Sequence, residues 1–284
     1  MNTKIGFIGQ GWIGRHYADE FESRMYNVVR YSLEEPYVQN KSLIQECDVV
    51  FIAVPTPTNE DGFDESVVRD ALTCVALGAT AVIKSTLIPG TTEKLQAEFP
   101  DVFVVHSPEF LVEKTAAHDA AKPHRNIIGI PIDTPLYREK AVSILRILPT
   151  APYQKVMLAR DAEMVKYAGN CFLYTKVMFM NVLFNLAKST SCNWDVLHEA
   201  LVNDPRIGES HTQPVHSSGR GAGGHCLIKD FEALRLIYKS VANDPYGDNF
   251  LKSMAALNIK LLTDTQKDLD LLSGVYGTDF TLKN

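Results

Sequence analysis

A glycine motif at the start of the chain constrains its fold more than any other feature. The apolar run Lys4–Ile8 predicts a buried strand, which continues directly into the hexad Gly9-Gln10-Gly11-Trp12-Ile13-Gly14 and then into a helical pattern. In such a unit the first glycine allows a tight turn, the second lets the backbone approach a pyrophosphate, and the third permits close packing of helix on strand. The first residues therefore predict a dinucleotide site, whose cofactor contacts we assign to Gly9, Gly11, Trp12, Ile13 and Gly14.

Further apolar runs rich in Val and Ile alternate with helix-length or turn-rich intervals. These runs are Val28–Tyr31, Asp48–Val54, Thr80–Lys84, Val102–Val105 and Asn126–Ile130. Strands that alternate with helices predict a parallel sheet covered on both faces, here an α/β Rossmann-like domain over residues 1–158. The pattern changes around Pro149–Leu158, and a long apolar segment without proline then runs from about Arg160 to Lys188. We expect an all-helical domain with this long central helix over residues 159–284.

The second half of the chain reads as helices around one irregular segment. Asn203–Gly224 is rich in Gly, Pro, Ser and His, and a loop of this length is usually functional or disordered. Phe231–Lys239 and Phe250 to about Leu272 are predicted as helices, and Gly274–Asn284 as a short polar tail.

Composition excludes several classes of protein. Lys and Arg number 28 against 34 Asp and Glu, so the net charge of −6 does not favour a nucleic-acid partner. No stretch reaches the roughly 18 apolar residues of a membrane span. The five cysteines are widely spaced and form no C-x-x-C pair, which favours a reducing, cytoplasmic location without a structural metal. Four of them are predicted to be packing residues: Cys47, Cys74, Cys171 and Cys192.

The fifth cysteine follows a second glycine cluster. The segment Gly219-Arg220-Gly221-Ala222-Gly223-Gly224-His225-Cys226 has four glycines in six positions, and Asp230 lies four residues beyond the cysteine. Glycines lose much conformational entropy on folding, so this density is explained if the backbone wraps closely around a ligand. A cysteine at the start of a predicted helix is placed where a thiolate is stabilised. Cys226 is therefore a candidate nucleophile.

Other polar residues occupy positions suited to chemistry. Lys166 and Asn170 are four apart on the long helix, so both leave one face and could hold an oxyanion. Glu109 follows the strand Val102–Val105, at the sheet edge where ligands bind, and is a candidate general base. Two other runs occupy equivalent places, where position alone leaves loop capping and ligand binding equally open: Lys84-Ser85-Thr86 and Val54-Pro55-Thr56-Pro57-Thr58.

The second strand leaves the choice of cofactor open. A Rossmann site normally has an acid there for the adenosine ribose, but this chain has Ser32, with Arg30 nearby and Glu34 two residues on. Ser with a neighbouring Arg is compatible with the 2′-phosphate of NADP, whereas Glu34 reaching back would favour NAD. We favour NAD.

Together these segments resemble the UDP-glucose/GDP-mannose dehydrogenase family, in order and over nearly the whole chain. The segments that carry the resemblance are Gly9–Gly14, Val54–Thr58 with Glu60-Asp61-Gly62, Lys84–Thr86 with Gly90-Thr91-Thr92, Ser107–Leu111, Lys166-Tyr167 with Asn170, Asp204–Gly208, and Gly219–Asp230. The family oxidises the primary alcohol of a nucleotide sugar to the acid in two NAD-dependent steps.

The resemblance implies specific roles. Cys226 corresponds to the nucleophile, Lys166 and Asn170 to the oxyanion stabilisers, and Glu109, Thr86 and Asp230 to the group that activates water. Arg206 matches an arginine that crosses a dimer interface, and the central helix is implied as the site of dimerisation. Further substrate contacts are implied at Phe110, Leu111, Glu113, Gly219, Gly221, Gly223 and Gly224, with Glu113 also counted at the cofactor.

The chain also departs from the family. Ser32 stands where the ribose-binding Asp is usual, Leu87-Ile88-Pro89 replaces a Val-Pro stretch, and Val182 follows Asn181 where Glu is common. A third, C-terminal domain that holds much of the nucleotide diphosphate is not represented in the 284 residues. UDP-glucose is the expected substrate, with UDP-N-acetylhexosamines and GDP-mannose as rivals. A two-electron hydroxy-acid dehydrogenase and a non-catalytic nucleotide-binding subunit are the alternatives of other classes.

Overall fold

The computed structural model describes residues 3–282 as two compact units. The sheet unit contains the residues up to Pro57 together with Asp64–Lys166, and the helical unit contains Thr58–Phe63 and the residues from Tyr167 onward. The division between the units therefore falls inside one long helix, Ala159–Ser189.

The sheet unit is built on seven strands with helices between them. The strands are β1 (Lys4–Ile8), β2 (Asn27–Tyr31), β3 (Val49–Ile52), β6 (Thr80–Ile83), β7 (Phe103–His106), β8 (Arg125–Ile130) and β9 (Tyr153–Leu158). The helices are α1 (Trp12–Ser23), α2 (Ser66–Leu72), α3 (Thr91–Glu98), α4 (Ala116–Ala121), α5 (Pro135–Ile147) and the beginning of α6 (Ala159–Ser189). Two 3-10 helices, one of nine residues and one of three, cover Val38–Glu46 and Glu113–Thr115. The strand order β2-β1-β3-β6-β7-β8-β9 brings the ends of β1, β3, β6 and β7 to one edge.

Aromatic packing fixes α1 on this sheet. Phe7 of β1 stacks on Phe51 of β3 with ring centroids 4.9 Å apart, and Phe21 of α1 lies 5.5 Å from Phe7. All three side chains are almost completely buried. Aromatic contacts of this kind add to the hydrophobic energy of burial, so they hold the glycine turn between β1 and α1 rigidly on the sheet.

The α/β class is confirmed, but the sheet is mixed rather than wholly parallel. β7 and β8 are antiparallel, with His106 opposite Gly129, while β8 and β9 are parallel. Hydrophobic patterning locates strands without setting their direction, because direction depends on the path of the connections. The strand β9 is not among the predicted strands, because Tyr153, Gln154 and Lys155 are exposed at the sheet edge and only the short apolar run Val156–Leu158 remains.

The first turn of α6 is anchored by a buried carboxylate. Glu163 accepts hydrogen bonds from the backbone N–H groups of Gly90 (2.6 Å) and Thr92 (2.8 Å) and from the Thr92 hydroxyl (2.6 Å). These amides belong to the start of α3, where N–H groups lack partners within the helix. Burial raises the pKa of Glu163 to about 7, against the opposing effect of the three donors. The anchor fixes the helix turn that precedes Lys166.

The helical unit contains the rest of α6, four further helices and two small hairpins. Its elements are α7 (Trp194–Val202), α8 (Gly224–Val241), α9 (Pro245–Asp264), α10 (Leu269–Tyr276), the hairpin β4 (Thr58–Asn59) with β5 (Gly62–Phe63), and the hairpin β10 (Val215–His216) with β11 (Gly219–Arg220). Tyr174 of α6 stacks on Phe231 of α8 with centroids 3.8 Å apart, and both are buried. This contact joins two of the helices that carry candidate site residues.

Several predicted boundaries in this unit were wrong. The helix predicted over Phe250–Leu272 is two helices, because Gln266 and Asp268 adopt left-handed φ angles of 54° and 52° between α9 and α10. The helix predicted from Phe231 begins at Gly224, and the loop Asn203–Gly224 contains the β10–β11 hairpin. The predicted tail begins inside α10, where Val275 and Tyr276 are buried, and its last residues, Lys283 and Asn284, lie outside the described residues.

The cysteine predictions were correct for three residues and wrong for one. Cys47, Cys74 and Cys171 are buried, whereas Cys192 is exposed beyond the end of α6. Its neighbours in the sequence, Ser191 and Asn193, are polar, and the chain turns at Ser191, whose φ is 58°.

Candidate functional site

The glycine turn of the sheet unit has the form of a dinucleotide cradle. Gly9 has a φ of 90°, and a Cβ placed there would lie 2.3 Å from the Ala53 carbonyl oxygen. A Cβ on Gly14 would lie 1.8 Å from the Gly9 carbonyl oxygen, whereas one on Gly11 would meet nothing within 4 Å. Gly9 and Gly14 are thus required by the fold, and Gly11 leaves open space at the N-terminus of α1. Trp12 and Ile13 form the first turn there, where a pyrophosphate finds unpaired N–H groups.

The arginine that complicates the choice of cofactor is already occupied. Arg30 is buried, and its guanidinium makes a bidentate pair with Glu22 (2.9 and 2.7 Å) and a third bond to Asp19 (2.7 Å). Hydrogen bonds to the two carboxylates raise the pKa of Arg30 against the effect of its burial. Ser32 donates from its hydroxyl to the Glu34 carbonyl oxygen at 2.8 Å, while Glu34 itself is exposed.

Two loops at the same sheet edge are tied to each other. The Val54 N–H donates to the Ser85 hydroxyl at 3.0 Å, and that hydroxyl donates to the Val54 carbonyl oxygen at 2.7 Å. Thr56 donates to the Thr86 carbonyl oxygen at 2.8 Å, while Pro55 between them is exposed. Ser85 and Thr56 therefore have a structural task, and the Thr86 side chain remains half-buried at the edge.

A buried ion pair joins two of the predicted catalytic residues. Lys166 Nζ lies 2.7 Å from Glu109 Oε1, and both side chains are 7% exposed. The other carboxylate oxygen of Glu109 accepts the Leu111 N–H at 2.8 Å. Phe110 packs beside the pair, with Lys166 Nζ 5.8 Å from its ring centroid, whereas Glu113 is exposed. The pair keeps a carboxylate and an ammonium group ready at one place, which suits proton transfer or charge stabilisation.

A second lysine, not predicted as a site residue, is buried in the same unit. Lys84 Nζ donates to the Ser107 hydroxyl at 3.1 Å and lies 4.3 Å from the centroid of the Tyr17 ring. Burial lowers the pKa of Lys84 to about 7, with nearby Glu109 opposing and Lys166 reinforcing the shift. Burial and the Lys84 charge lower the pKa of His106 to about 3, so this histidine is neutral at physiological pH. The sequence signal was weak, since a lysine ending an apolar run usually points into solvent.

The Lys84 environment predicts a pH dependence of stability. The pKa of about 7 is below the ordinary value of 10.5, so between these limits the unfolded chain binds a proton that the folded chain does not. Stability therefore rises with pH across this window. In urea unfolding from pH 7 to pH 10, the wild type should gain about 3 kcal/mol relative to Lys84→Met. Parallel stability curves for the two proteins would contradict the prediction.

The helical unit places Asn170 against Asp230. Asn170 Nδ2 donates to Asp230 Oδ2 at 2.6 Å, and Lys229 Nζ lies 2.6 Å from Asp230 Oδ1, where the carboxylate is 1% exposed. Asp230 lies one helical turn after Cys226 in α8, so both leave the same side of the helix. Cys226 is exposed in the first turn of α8, where the helix dipole favours an anion.

Internal packing explains most of the second glycine cluster. A Cβ on Gly219, Gly221 or Gly223 would come within 2.5 Å of Thr265, 2.8 Å of Asn258 or 1.9 Å of Asp268, respectively. Gly224 alone faces open space, with a φ of 79°. The glycine density thus has a reason in the fold itself, while contact of this loop with a ligand stays a prediction.

Arg206 lies at the surface of the helical unit. Its side chain is 88% exposed and pairs with Asp204 through contacts of 2.5 to 3.2 Å. The turn that carries it is attached to α6 by Lys176 Nζ, which donates to the Ile207 carbonyl oxygen at 2.7 Å. The same helix exposes large apolar side chains at helical spacing: Phe172, Phe179, Val182 and Leu186.

Neither a metal-binding cluster nor a membrane-spanning helix is found in residues 3–282. Within this range no group of three or more His, Cys, Asp or Glu side chains is arranged to hold a metal ion. None of the helices described there is long and apolar enough to cross a membrane.

Comparisons with known proteins support the family resemblance. Models of two domains of the UDP-glucose/GDP-mannose dehydrogenase family match the chain, the NAD binding domain over residues 35–144 and the central domain over residues 160–259. UDP-glucose 6-dehydrogenase YwqF from Bacillus subtilis is 32% identical over 271 residues, which cover 89% of this chain and 57% of that protein. The chain spans about half the length of the curated relatives that it matches, from 44% of one to 69% of another.

Solved structures show the same fold. A UDP-glucose dehydrogenase from Pyrobaculum islandicum matches with a TM-score of 0.79 at 26% identity, over 96% of this chain and 71% of that one. The 3-hydroxyisobutyrate dehydrogenase of Mycobacterium tuberculosis matches with a TM-score of 0.72 over 95% and 97% of the two chains. Its identity is 18%, so this likeness concerns the fold alone. Since both domain models match in order and together extend over most of the sequence, the chain belongs to the UDP-glucose/GDP-mannose dehydrogenase family.

Proposed function

We propose that the protein oxidises the primary alcohol of a nucleotide sugar to the carboxylic acid, with UDP-glucose as the substrate and NAD as the cofactor. The overall reaction is one alcohol, two NAD⁺ and one water giving one carboxylate, two NADH and three protons. Residues 1–158 would bind the cofactor, and residues 159–284 would carry the nucleophile and the contact between subunits. The observation that carries the proposal is Cys226, exposed at the start of α8 one turn before the buried Asp230.

The proposed oxidation requires an acceptor of hydride and a cradle that binds this acceptor. NAD, when bound, accepts a hydride in each of the two oxidations. The open space at Gly11 and the N–H groups at the start of α1 fit a pyrophosphate, with the sheet-edge loops of Val54, Pro55, Thr56 and Thr86 and the nearby residues Ser32 and Glu113 completing the site.

Cys226 explains why the oxidation would go beyond the aldehyde. Its thiolate adds to the aldehyde carbon, and the aldehyde oxygen takes up a proton to give a thiohemiacetal. Loss of a second hydride and of the hydroxyl proton then gives a thioester. Water then attacks the thioester carbon, the C–S bond breaks, and the acid and the thiol are released. Lys166 and Asn170 would stabilise the oxyanion, while Glu109, Thr86 and Asp230 would position and deprotonate the water.

Substrate contacts and assembly follow the same proposal. We assign sugar-nucleotide contacts to Phe110, Leu111, Arg206 and the glycine loop of Gly219, Gly221, Gly223 and Gly224. The exposed apolar face of α6 would be covered by a second copy of the chain, since apolar patches of this kind mark interfaces. A cytoplasmic location stays part of the proposal.

The yield of NADH per sugar tests the reaction directly. With NAD in excess and UDP-glucose limiting, we expect two NADH for each sugar consumed. One NADH would place the protein with two-electron dehydrogenases, such as those acting on hydroxy acids. No NADH with UDP-glucose, but two with GDP-mannose or a UDP-N-acetylhexosamine, would keep the reaction and change the substrate.

The occupied Arg30 predicts a preference for NAD over NADP. Because Glu22 and Asp19 already neutralise the guanidinium, the 2′-phosphate of NADP would meet a net negative charge. The double variant Asp19→Asn/Glu22→Gln should release Arg30 and raise kcat/KM for NADP relative to NAD about tenfold, equivalent to ~1.4 kcal/mol. The exposed pair of Asp133 with Arg138 offers a matched control, since Asp133→Asn should leave the ratio unchanged. An unchanged ratio in the double variant would remove Arg30 from cofactor selection.

A further inference from the structure

The turn between α9 and α10 surrounds the glycine loop that precedes Cys226. We use the name glycine loop for residues 219–224 and the name clamp for Asn258, Thr265, Lys267 and Asp268. All of these residues belong to the helical unit. The clamp lies about 40 residues beyond the loop in sequence, in a segment to which no role has been assigned.

Backbone groups of the glycine loop are hydrogen-bonded to side chains of the clamp. Asn258 accepts from the Ala222 N–H at 2.7 Å and donates to the Ala222 carbonyl oxygen at 3.0 Å, so one amide replaces a strand partner. Thr265 Oγ1 accepts from the Arg220 N–H at 3.1 Å. The backbone of Arg220 and Ala222 is thereby held by two polar side chains, of which Asn258 is 1% exposed.

Lys267 and Asp268 form hydrogen bonds with the backbone of Gly221 and Gly224 in the glycine loop. Lys267 Nζ donates to the Gly221 carbonyl oxygen at 3.1 Å, and the side chain is 6% exposed. Burial lowers the pKa of Lys267, with the neighbouring Asp268 opposing the shift. Asp268 Oδ2 accepts a hydrogen bond of 2.8 Å from the N–H of Gly224, and Gly224 is the first residue of α8. A carboxylate at this place satisfies an amide that has no partner within the helix.

The clamp also explains the shape of the loop. Gly221 and Gly224 have positive φ angles. A loop with four glycines in six positions has many competing conformations when no contacts select one of them. Asp268 itself adopts a left-handed φ of 52°, which Asp tolerates better than most residues and which directs its carboxylate to the start of α8. Cys226 is only two residues beyond Gly224, so the conformation selected by the clamp extends to the nucleophile.

We propose that Lys267 and Asp268 are positioning residues that hold the glycine loop, and with it Cys226, in the conformation used for catalysis. The effect on turnover rests on the proposed function, whereas the effect on the loop does not. In this proposal the clamp acts through the glycine loop and Cys226.

Hydrogen–deuterium exchange tests the effect on the loop in the full chain without any assay of activity. Asp268→Gly removes the carboxylate and tolerates the left-handed φ, whereas Asp268→Asn tolerates this φ and keeps an oxygen acceptor. Lys267→Met keeps the apolar stem and removes the ammonium group. We expect at least tenfold faster exchange in peptides covering residues 219–226 for Asp268→Gly and Lys267→Met, with near wild-type exchange in Asp268→Asn. Lys260→Met on the exposed face of α9 is the matched control and should leave this exchange unchanged.

Steady-state kinetics then separate positioning from simple support of the fold. Asp268→Gly and Lys267→Met should lower kcat at least tenfold, with KM for NAD unchanged and the melting temperature within a few degrees of wild type. Asp268→Asn should restore most of kcat. Unchanged exchange in both loss variants would overturn the inference, as would faster exchange with a wild-type kcat. If Lys267→Met does not fold, the comparison of Asp268→Gly with Asp268→Asn tests the inference on its own. A wild type that oxidises no nucleotide sugar would refute the proposed function and leave the exchange result to judge the loop.

Discussion

Replacement of Cys226 by Ser is expected to reduce formation of the acid by at least a thousandfold. A serine hydroxyl at neutral pH is a far weaker nucleophile than a thiolate, and an oxygen ester lacks the good leaving group that a thioester offers to water. The position of Cys226 in the first turn of α8 contributes to this difference, because the N-terminus of a helix stabilises a thiolate and has little effect on a neutral hydroxyl.

The measurement is the rate of NADH formation and the amount of acid per UDP-glucose. Cys192→Ser is the matched control, since Cys192 is the other exposed cysteine and lies in a turn beyond α6. It should retain wild-type rates. A Cys226→Ser enzyme that still yields two NADH per sugar at a near wild-type rate would rule out covalent catalysis through Cys226.

Replacement of Lys166 by Met is expected to affect both turnover and stability. Loss of the ammonium group removes the positive charge that would stabilise the oxyanion, so kcat should fall by roughly a hundredfold or more. It also leaves the Glu109 carboxylate, 7% exposed, without its buried cation. Removing one partner of a buried pair typically lowers the free energy of unfolding by about 3–5 kcal/mol.

The double variant Lys166→Met/Glu109→Gln distinguishes the two effects. The neutral amide no longer needs the cation, so most of the lost stability in urea unfolding should return while kcat stays low. Lys155→Met, on the exposed strand β9, is the control for the loss of a lysine and should change neither quantity. A double variant that regains wild-type kcat would show that the pair is structural and would remove both residues from the proposed mechanism.

Much of the fold could be predicted because the strands of the sheet unit are short, apolar and buried on both faces. β1, β3 and β6 lie within the predicted apolar runs, and the long helix α6 extends only one residue beyond each predicted end. Strand direction and exposed edges were less accessible. The antiparallel pairing of β7 and β8 and the polar strand β9 depend on the course of the chain, which hydrophobic patterning does not record.

In the candidate site, likewise, the sequence predicted individual residues but not the contacts between them. Cys226, Asp230, Lys166, Asn170 and Glu109 could be selected from motif spacing and resemblance. The partners of these residues could not, because Lys166 and Glu109 are 57 positions apart and Asn170 and Asp230 are 60 apart. Arg30 shows the limit clearly. Its sequence context is compatible with a phosphate site, yet two carboxylates of α1 already bind its guanidinium.

Local sequence patterns were sufficient to predict the α/β class, the glycine turn at the start of α1 and the candidate nucleophile after the second glycine cluster. These are local features, in which the required residues are adjacent or repeat with the period of a strand or helix. Three features became visible in the tertiary structure alone: the pairing of Lys166 with Glu109, the burial of Lys84, and the hydrogen bonds between the turn after α9 and the glycine loop. Such contacts join residues distant in sequence, and their strength comes from burial, which removes competing water and which no local pattern specifies.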